Sequence, residues 1–113
     1  MRLESLKYLY DITRAATFAL EFVRGKSYSD YVSDVMLRSA VERQLAIVGE
    51  ALTQLAKIDS QTASGINEYQ RIIAFRNILI HGYAEIDDRV VGNVLQQYLP
   101  TLLGEAGALL NEQ

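Results

Sequence analysis

Hydrophobic positions recur at steps of three and four along nearly the whole chain, the helical period and not the alternation of a strand. In the first stretch Leu6, Leu9, Thr13, Ala16, Leu20 and Val23 form one stripe, which predicts a helix over about residues 3–24. Gly25 ends it, and Arg24 and Lys26 place cations at its negative end. The polar stretch Ser27 to Ser33 predicts a short connection with at most one helical turn. Asp34 predicts the cap of a long second helix reaching about Lys57. One stripe of that helix is Leu37, Val41, Leu45, Val48, Leu52 and Leu55. A second apolar side carries Met36, Ala40, Ile47 and Ala51, with Arg43 and Glu50 among them. A helix apolar on two sides is central in its own bundle or packs on a second subunit. Gly49 in mid-helix costs up to about 1 kcal/mol relative to alanine, a cost that close helix approach explains.

Asp59 to Gly65 is polar and small, which predicts a loop. A third helix starts near Asn67, carries Tyr69, Ile72, Ile73, Phe75, Arg76, Ile78, Leu79 and Ile80, and stops near His81 and Gly82. Asp87 or Asp88 caps a fourth, with Val91, Val94, Tyr98, Leu102 and Leu103 as its stripe. Pro100 lies inside it and predicts a kink or a restart. The pattern therefore predicts an all-α fold, an antiparallel bundle of four to five helices that dimerises through helix faces.

Composition narrows the chemistry. At 113 residues the chain predicts one domain, spanning 1–113. It has no cysteine, so disulfides, thiolate metal sites and cysteine nucleophiles are excluded. His81 is the one histidine, which excludes multi-histidine metal sites within one chain. No run approaches 18 apolar residues, and the N-terminus carries mixed charge at once, unlike a signal peptide. A soluble cytoplasmic protein with no membrane partner is the expectation. The net charge is −3, unevenly spread. Residues 1–81 hold ten Lys/Arg against nine Asp/Glu, and residues 82–113 hold one Arg against five Asp/Glu. Nucleic acid must therefore be met by a local patch, or by one that more than one subunit builds.

No Walker loop, GxGxxG, GxSxG or HExxH is present. The stretch Phe75-Arg76-Asn77-Ile78-Leu79-Ile80-His81-Gly82-Tyr83 instead places four polar side chains in an apolar helix end. Asn77 and His81 are four apart and share a helix face. Arg76 and His81 are five apart, about 140° around a regular helix. They converge only if the helix end loosens near Gly82 or a second copy supplies one of them. Arg offers a fixed fork for phosphate oxygens and His a proton near neutral pH. Phosphodiester cleavage by a neighbouring 2′-hydroxyl needs those two services, and no metal or other cofactor. Simpler roles stand beside this one. His81 suits a helix C-terminus, Arg76 can pair with Glu50 or Asp87, and Arg43 with Glu50 can form an ion pair between helices.

The arrangement Arg76-x4-His81-x-Tyr83 resembles the RX4HXY signature of the HEPN superfamily, in particular the HepT-like toxins. Arg43-Gln-Leu-Ala-Ile-Val-Gly-Glu50-Ala is similar to the family's second-helix motif, and Ile73 to Tyr83 to its third-helix ending. Ile86-Asp87…Val91 and Leu99-Pro100-x-Leu102 fit as well, so the resemblance covers nearly the whole chain. One departure is the lack of tryptophan, with Tyr69 and Gly92 near the places where the family often has it. The resemblance implies a helical homodimer or larger assembly with the Arg/His motifs facing a shared cleft. It implies a metal-independent endoribonuclease toxin of a type II/VII-like toxin–antitoxin system, cleaving tRNA or mRNA. Arg76 would hold the phosphate and His81 would act as general acid/base. Asn77 would orient the site, with Arg43 and Glu50 supporting. The implied partner is a minimal nucleotidyltransferase antitoxin that transfers AMP to Tyr83. The alternative is a non-catalytic helical partner or substrate-binding subunit of that nucleotidyltransferase. A third reading is a helical dimerisation protein with a relic motif.

Overall fold

Helices α1 (Leu3–Phe22) and α3 (Val35–Ile58) form the long pair at the centre of the molecule. The computed structural model describes residues 1–112, apart from the side chain of Tyr83. Between the pair lies α2 (Tyr28–Ser33), and after it come α4 (Ser60–Ala63), α5 (Tyr69–His81), α6 (Asp88–Asn93) and α7 (Leu99–Asn111). No strand occurs among the described residues, so the fold is all-α, as a HEPN-like bundle requires. Among the described residues no helix is long and apolar enough to cross a membrane.

Local chemistry sets the element ends. Gly25 adopts φ +74°, the left-handed turn that stops α1. Ser27 and Asp30 form a reciprocal capping box on α2, so the serine-rich connection folds into a six-residue helix, longer than the single turn expected. The Asp34 carboxylate accepts the Leu37 N–H and starts α3 where expected. Asp87 caps α6 in the same way through Arg89. Ahead of Pro100 the chain widens into a π-helical turn over Val94–Tyr98 before α7 begins. The widened turn accommodates a ring that lacks an N–H donor, and α7 restarts with Pro100 in its first turn, the restart that the sequence allows.

Three expectations need correction. The polar stretch after α3 is not wholly loop, because the Asp59 carboxylate accepts from the Thr62 N–H and caps α4. That carboxylate also accepts the Thr62 hydroxyl at 2.6 Å and the buried Ser5 hydroxyl at 2.9 Å. These bonds hold its pKa below the ordinary aspartate value, the Thr62 side chain contributing most. On α1 the buried stripe is rotated from the predicted one. Leu9, Ile12, Ala15, Ala16 and Ala19 are buried, while Leu6, Thr13 and Leu20 are only partly covered. Alanines let the two long helices approach closely, which periodicity of large residues cannot reveal.

The third correction concerns α3. Its main stripe is buried as expected, with Val41, Leu45, Val48, Leu52 and Leu55 fully enclosed. The predicted second apolar side is not uniform. Ala51 belongs to the core, Ala40 and Ile47 are half-buried, and Met36 is 77% exposed. Gly49 does permit close approach, but within the chain. A Cβ built there would lie 2.3 Å from the Cβ of Arg76 on α5.

Candidate functional site

Helix α5 carries the candidate residues, and its packing decides where each one points. The backbone enters it through Glu68 in the left-handed region, φ 56°, and Ile72 and Phe75 anchor its inner face in the core. One turn further on, Arg76 crosses α3 at Gly49. The absent Cβ at Gly49 leaves space for the arginine stem, so the guanidinium emerges beside Glu50. Arg76 Nη2 lies 2.5 Å from Glu50 Oε2. The approach is a charge contact without aligned hydrogen-bond geometry, since that oxygen and the buried Arg76 Nε have no hydrogen-bond partner among the described residues. Arg76 Nη1 donates to Asn77 Oδ1 at 2.8 Å, and Gln54 Nε2 donates to Glu50 Oε1 at 3.1 Å.

Glu50, Gln54 and Arg76 line a groove of about 410 Å³ bounded by α1, α3 and α5. Lys7, Tyr8 and Asp11 form its α1 wall, Arg43, Glu50 and Gln54 its α3 floor, and Arg76 with Ile80 its α5 wall. Three predicted residues, Arg43, Glu50 and Arg76, therefore meet in one place. Of the simpler roles considered for Arg76, the pair with Glu50 forms, while Asp87 pairs with Arg89 at 3.4 Å. The expected Arg43–Glu50 pair is not what forms. Arg43 is exposed and makes no salt bridge among the described residues.

His81 lies elsewhere. It is the last residue of α5, exposed, and does not line the groove. The helix stays regular to its end, because Gly82 N–H still bonds the Ile78 carbonyl at 2.9 Å. Loosening near Gly82 therefore does not bring Arg76 and His81 together, and they remain on different sides of the helix. Asn77 bridges the two sides: it is exposed, one helical turn before His81, while its Oδ1 accepts from Arg76. Tyr83 begins a 3₁₀ turn over Tyr83–Glu85. Its side chain is outside the described residues, and so is the expected AMP-acceptor site on it.

Lys7, Tyr8 and Gln54 are groove residues that sequence reasoning did not single out. Gln54 was findable, since it continues the Arg43–Ile47–Glu50 side of α3 by one turn. Lys7 and Tyr8 carry no local signal, and only the packing of α1 brings them here. Tyr98, expected in the core, is half-buried, and its hydroxyl donates to the Asn67 carbonyl at 3.0 Å. Burial pushes its pKa up to about 12. The enclosed tyrosine is Tyr31, whose hydroxyl has no hydrogen-bond partner among the described residues.

Residues 12–108 match the ribonuclease HepT-like family. The chain belongs to that family. A "Putative RNase" of Caldanaerobacter subterraneus subsp. tengcongensis is 30% identical over 94% of this chain and 94% of its own length. A "Putative RNase" of Methanocaldococcus jannaschii is 30% identical over 87% of this chain and 89% of its own. A "Probable ribonuclease HepT" of Thermococcus cleftensis is 31% identical, covering 87% and 88%. No solved structure matches the chain.

Proposed function

We propose that this HepT-like chain is a metal-independent endoribonuclease whose site is completed by a second copy of itself. One observation carries the reading: Arg76 faces the α1–α3–α5 groove while His81 stands on the other side of a helix that is regular to its end. A site that uses both then takes Arg76 from one protomer and His81 from its partner. In the reaction, neutral His81 accepts the proton of an RNA 2′-hydroxyl as that oxygen bonds to phosphorus. The bond from phosphorus to the 5′-oxygen breaks, and a protonated His81 returns a proton to the leaving oxygen. Arg76 stabilises the charge that gathers on the phosphoryl oxygens. Asn77 holds Nη1 and so fixes the fork, and Glu50 holds Nη2. The products are a 2′,3′-cyclic phosphate and a 5′-hydroxyl, and tRNA or mRNA is the substrate in a cytoplasmic setting.

In this reading the chain is the toxin of a toxin–antitoxin pair, and a minimal nucleotidyltransferase is its antitoxin. Transfer of AMP from ATP to the Tyr83 oxygen forms a phosphodiester and releases pyrophosphate. The new anion, two residues beyond His81, competes with RNA for Arg76. The expected measurement is a mass gain in units of AMP after co-expression, absent in Tyr83→Phe.

Complementation tests the composite site. His81→Ala and Arg76→Ala should each lower cleavage of cellular RNA in the presence of EDTA by about 10²–10⁴-fold. Mixing the two after partial unfolding should restore it, because half of the sites in a mixed dimer are then intact. No recovery in verified mixed dimers would refute the shared site. A wild-type chain that leaves RNA intact yet binds the nucleotidyltransferase would favour the non-catalytic partner, a reading that the net charge of −3 supports.

A further inference from the structure

We propose that the α1–α3–α5 groove is a subsite for single-stranded RNA, in which a base beside the scissile phosphate stacks on Tyr8 and the next phosphate is held by Arg43. The inference rests on the ribonuclease reading for its substrate and goes beyond it in naming where the flanking nucleotide lies. Each wall of the groove supplies one cation: Lys7 from α1, Arg43 from α3 and Arg76 from α5. Against these stand two carboxylates, Asp11 paired with Lys7 at 3.1 Å and Glu50 with Arg76. The groove is therefore locally cationic in a chain of net charge −3, which is the patch that an acidic RNA-binding protein needs. Arg43 is the cation with no acidic partner among the described residues, and so the one ready for a phosphate.

Tyr8 supplies the other half of single-strand recognition. Its ring is packed partly into the core, which fixes it as a platform, and it lines the groove. Lys7 Nζ lies 5.1 Å from the ring centroid. A cation over a half-exposed ring near solvent is weakly held, so a base can take its place while the ammonium moves to the backbone phosphate. The groove's volume of about 410 Å³ falls within the range of small-ligand sites, enough for one nucleotide. The groove on the opposite side of α5 is a poorer candidate. It is lined by Ile72, Phe75, Val94 and Tyr98, and its cation, Arg71, is paired with Glu68.

The test measures binding of a labelled 2′-O-methyl octanucleotide, which lacks the nucleophilic hydroxyl, to the full chain by fluorescence anisotropy. Tyr8→Ala should weaken binding about 5- to 100-fold, the range for loss of one stacked base, and Tyr8→Phe should keep it. Arg43→Ala should reduce the slope of log affinity against log salt by about 0.7, one phosphate contact. Arg71→Ala should change neither. Wild-type affinity and slope in folded Tyr8→Ala and Arg43→Ala would overturn the subsite, and so would no binding by wild type. Cleavage of unmodified RNA that ignores both substitutions also refutes the subsite but leaves the ribonuclease reading standing. Tyr8-dependent binding without any cleavage supports the subsite and removes that reading. A Tyr8→Ala variant that alters only the oligomeric state would show that the groove is covered by a second copy, and would overturn the proposal.

Discussion

Helix α3 is gripped on two sides by different physics. Against α1 the contact is aliphatic: Leu9, Ile12 and three alanines of α1 join Val41, Leu45, Val48, Leu52 and Leu55 in one buried cluster. Against α5 the helices come close at Gly49, and a charged side chain crosses there in place of a hydrophobic one. The first seam stabilises the fold by removing apolar surface from water. The second gives up some of that stabilisation and instead presents a guanidinium from a rigid helix pair at a fixed place. A functional group held by packed helices is better positioned than one on a loop. The difference suggests that substitutions in the two seams separate stability from activity.

The largest separation is expected at the motif itself. His81→Ala and Arg76→Ala should each lower RNA cleavage by about 10²–10⁴-fold, the usual range for a lost proton-transfer or charge-stabilising group. His81 is exposed, so its substitution should leave the urea midpoint unchanged. A loss of stability in Arg76→Ala as large as that of a core truncation would erase the distinction between the seams.

Leu52→Ala reverses the pattern. It is fully buried in the aliphatic cluster, so truncation should cost about 2–5 kcal/mol in urea unfolding. Cleavage per folded molecule should be retained. An activity loss beyond the loss of folded protein would mean that the core also tunes the site.

Gly49→Ala tests the second seam directly. Helix propensity alone favours alanine by up to about 1 kcal/mol. The added methyl would meet the Arg76 Cβ at 2.3 Å and the Ile72 carbonyl oxygen at 3.2 Å, so α5 must move. A net cost of roughly 1–3 kcal/mol is expected, together with reduced cleavage as Arg76 is displaced. A stabilised and fully active Gly49→Ala would show that the two seams are equally tolerant.

The smallest effect lies away from both seams, at Asp59. Its pKa is lowered in the fold, so its contribution to stability is present above the ordinary aspartate value near 4. That contribution is lost as the pH falls through the lower, folded value. Asp59→Asn should flatten this acid limb below about pH 4. Near pH 7 it should cost under about 1 kcal/mol, because asparagine also caps helices. A pH series of thermal midpoints checks it, and an unchanged acid limb would assign the acid sensitivity to other carboxylates.

How much of this was legible from residues alone depends on how local the signal is. Caps at Asp34 and Asp87, the stop at Gly25 and the change of helix before Pro100 are decided by neighbours a few positions away, and they appear where the pattern puts them; the capping box at Ser27 is equally local, but the pattern shows only a connection there. The Arg76–Asn77–His81 spacing was equally visible, as was the mismatch of Arg76 and His81 around a regular helix. Helix phase was harder. The α1 stripe was misplaced because alanine is too small to stand out in a hydrophobic pattern, although it packs as deeply as leucine.

By itself, then, the order of residues determined the long helices, most of their ends and the motif that places the chain among HepT-like ribonucleases. Tertiary packing alone decided that Gly49 faces Arg76, that Glu50 takes Arg76 and leaves Arg43 without an acidic partner, and that Lys7 and Tyr8 border the same groove. The physical reason is range. A cap or a turn is settled by hydrogen bonds within one helical turn, whereas a groove between three helices depends on rotations and separations that no single helix specifies.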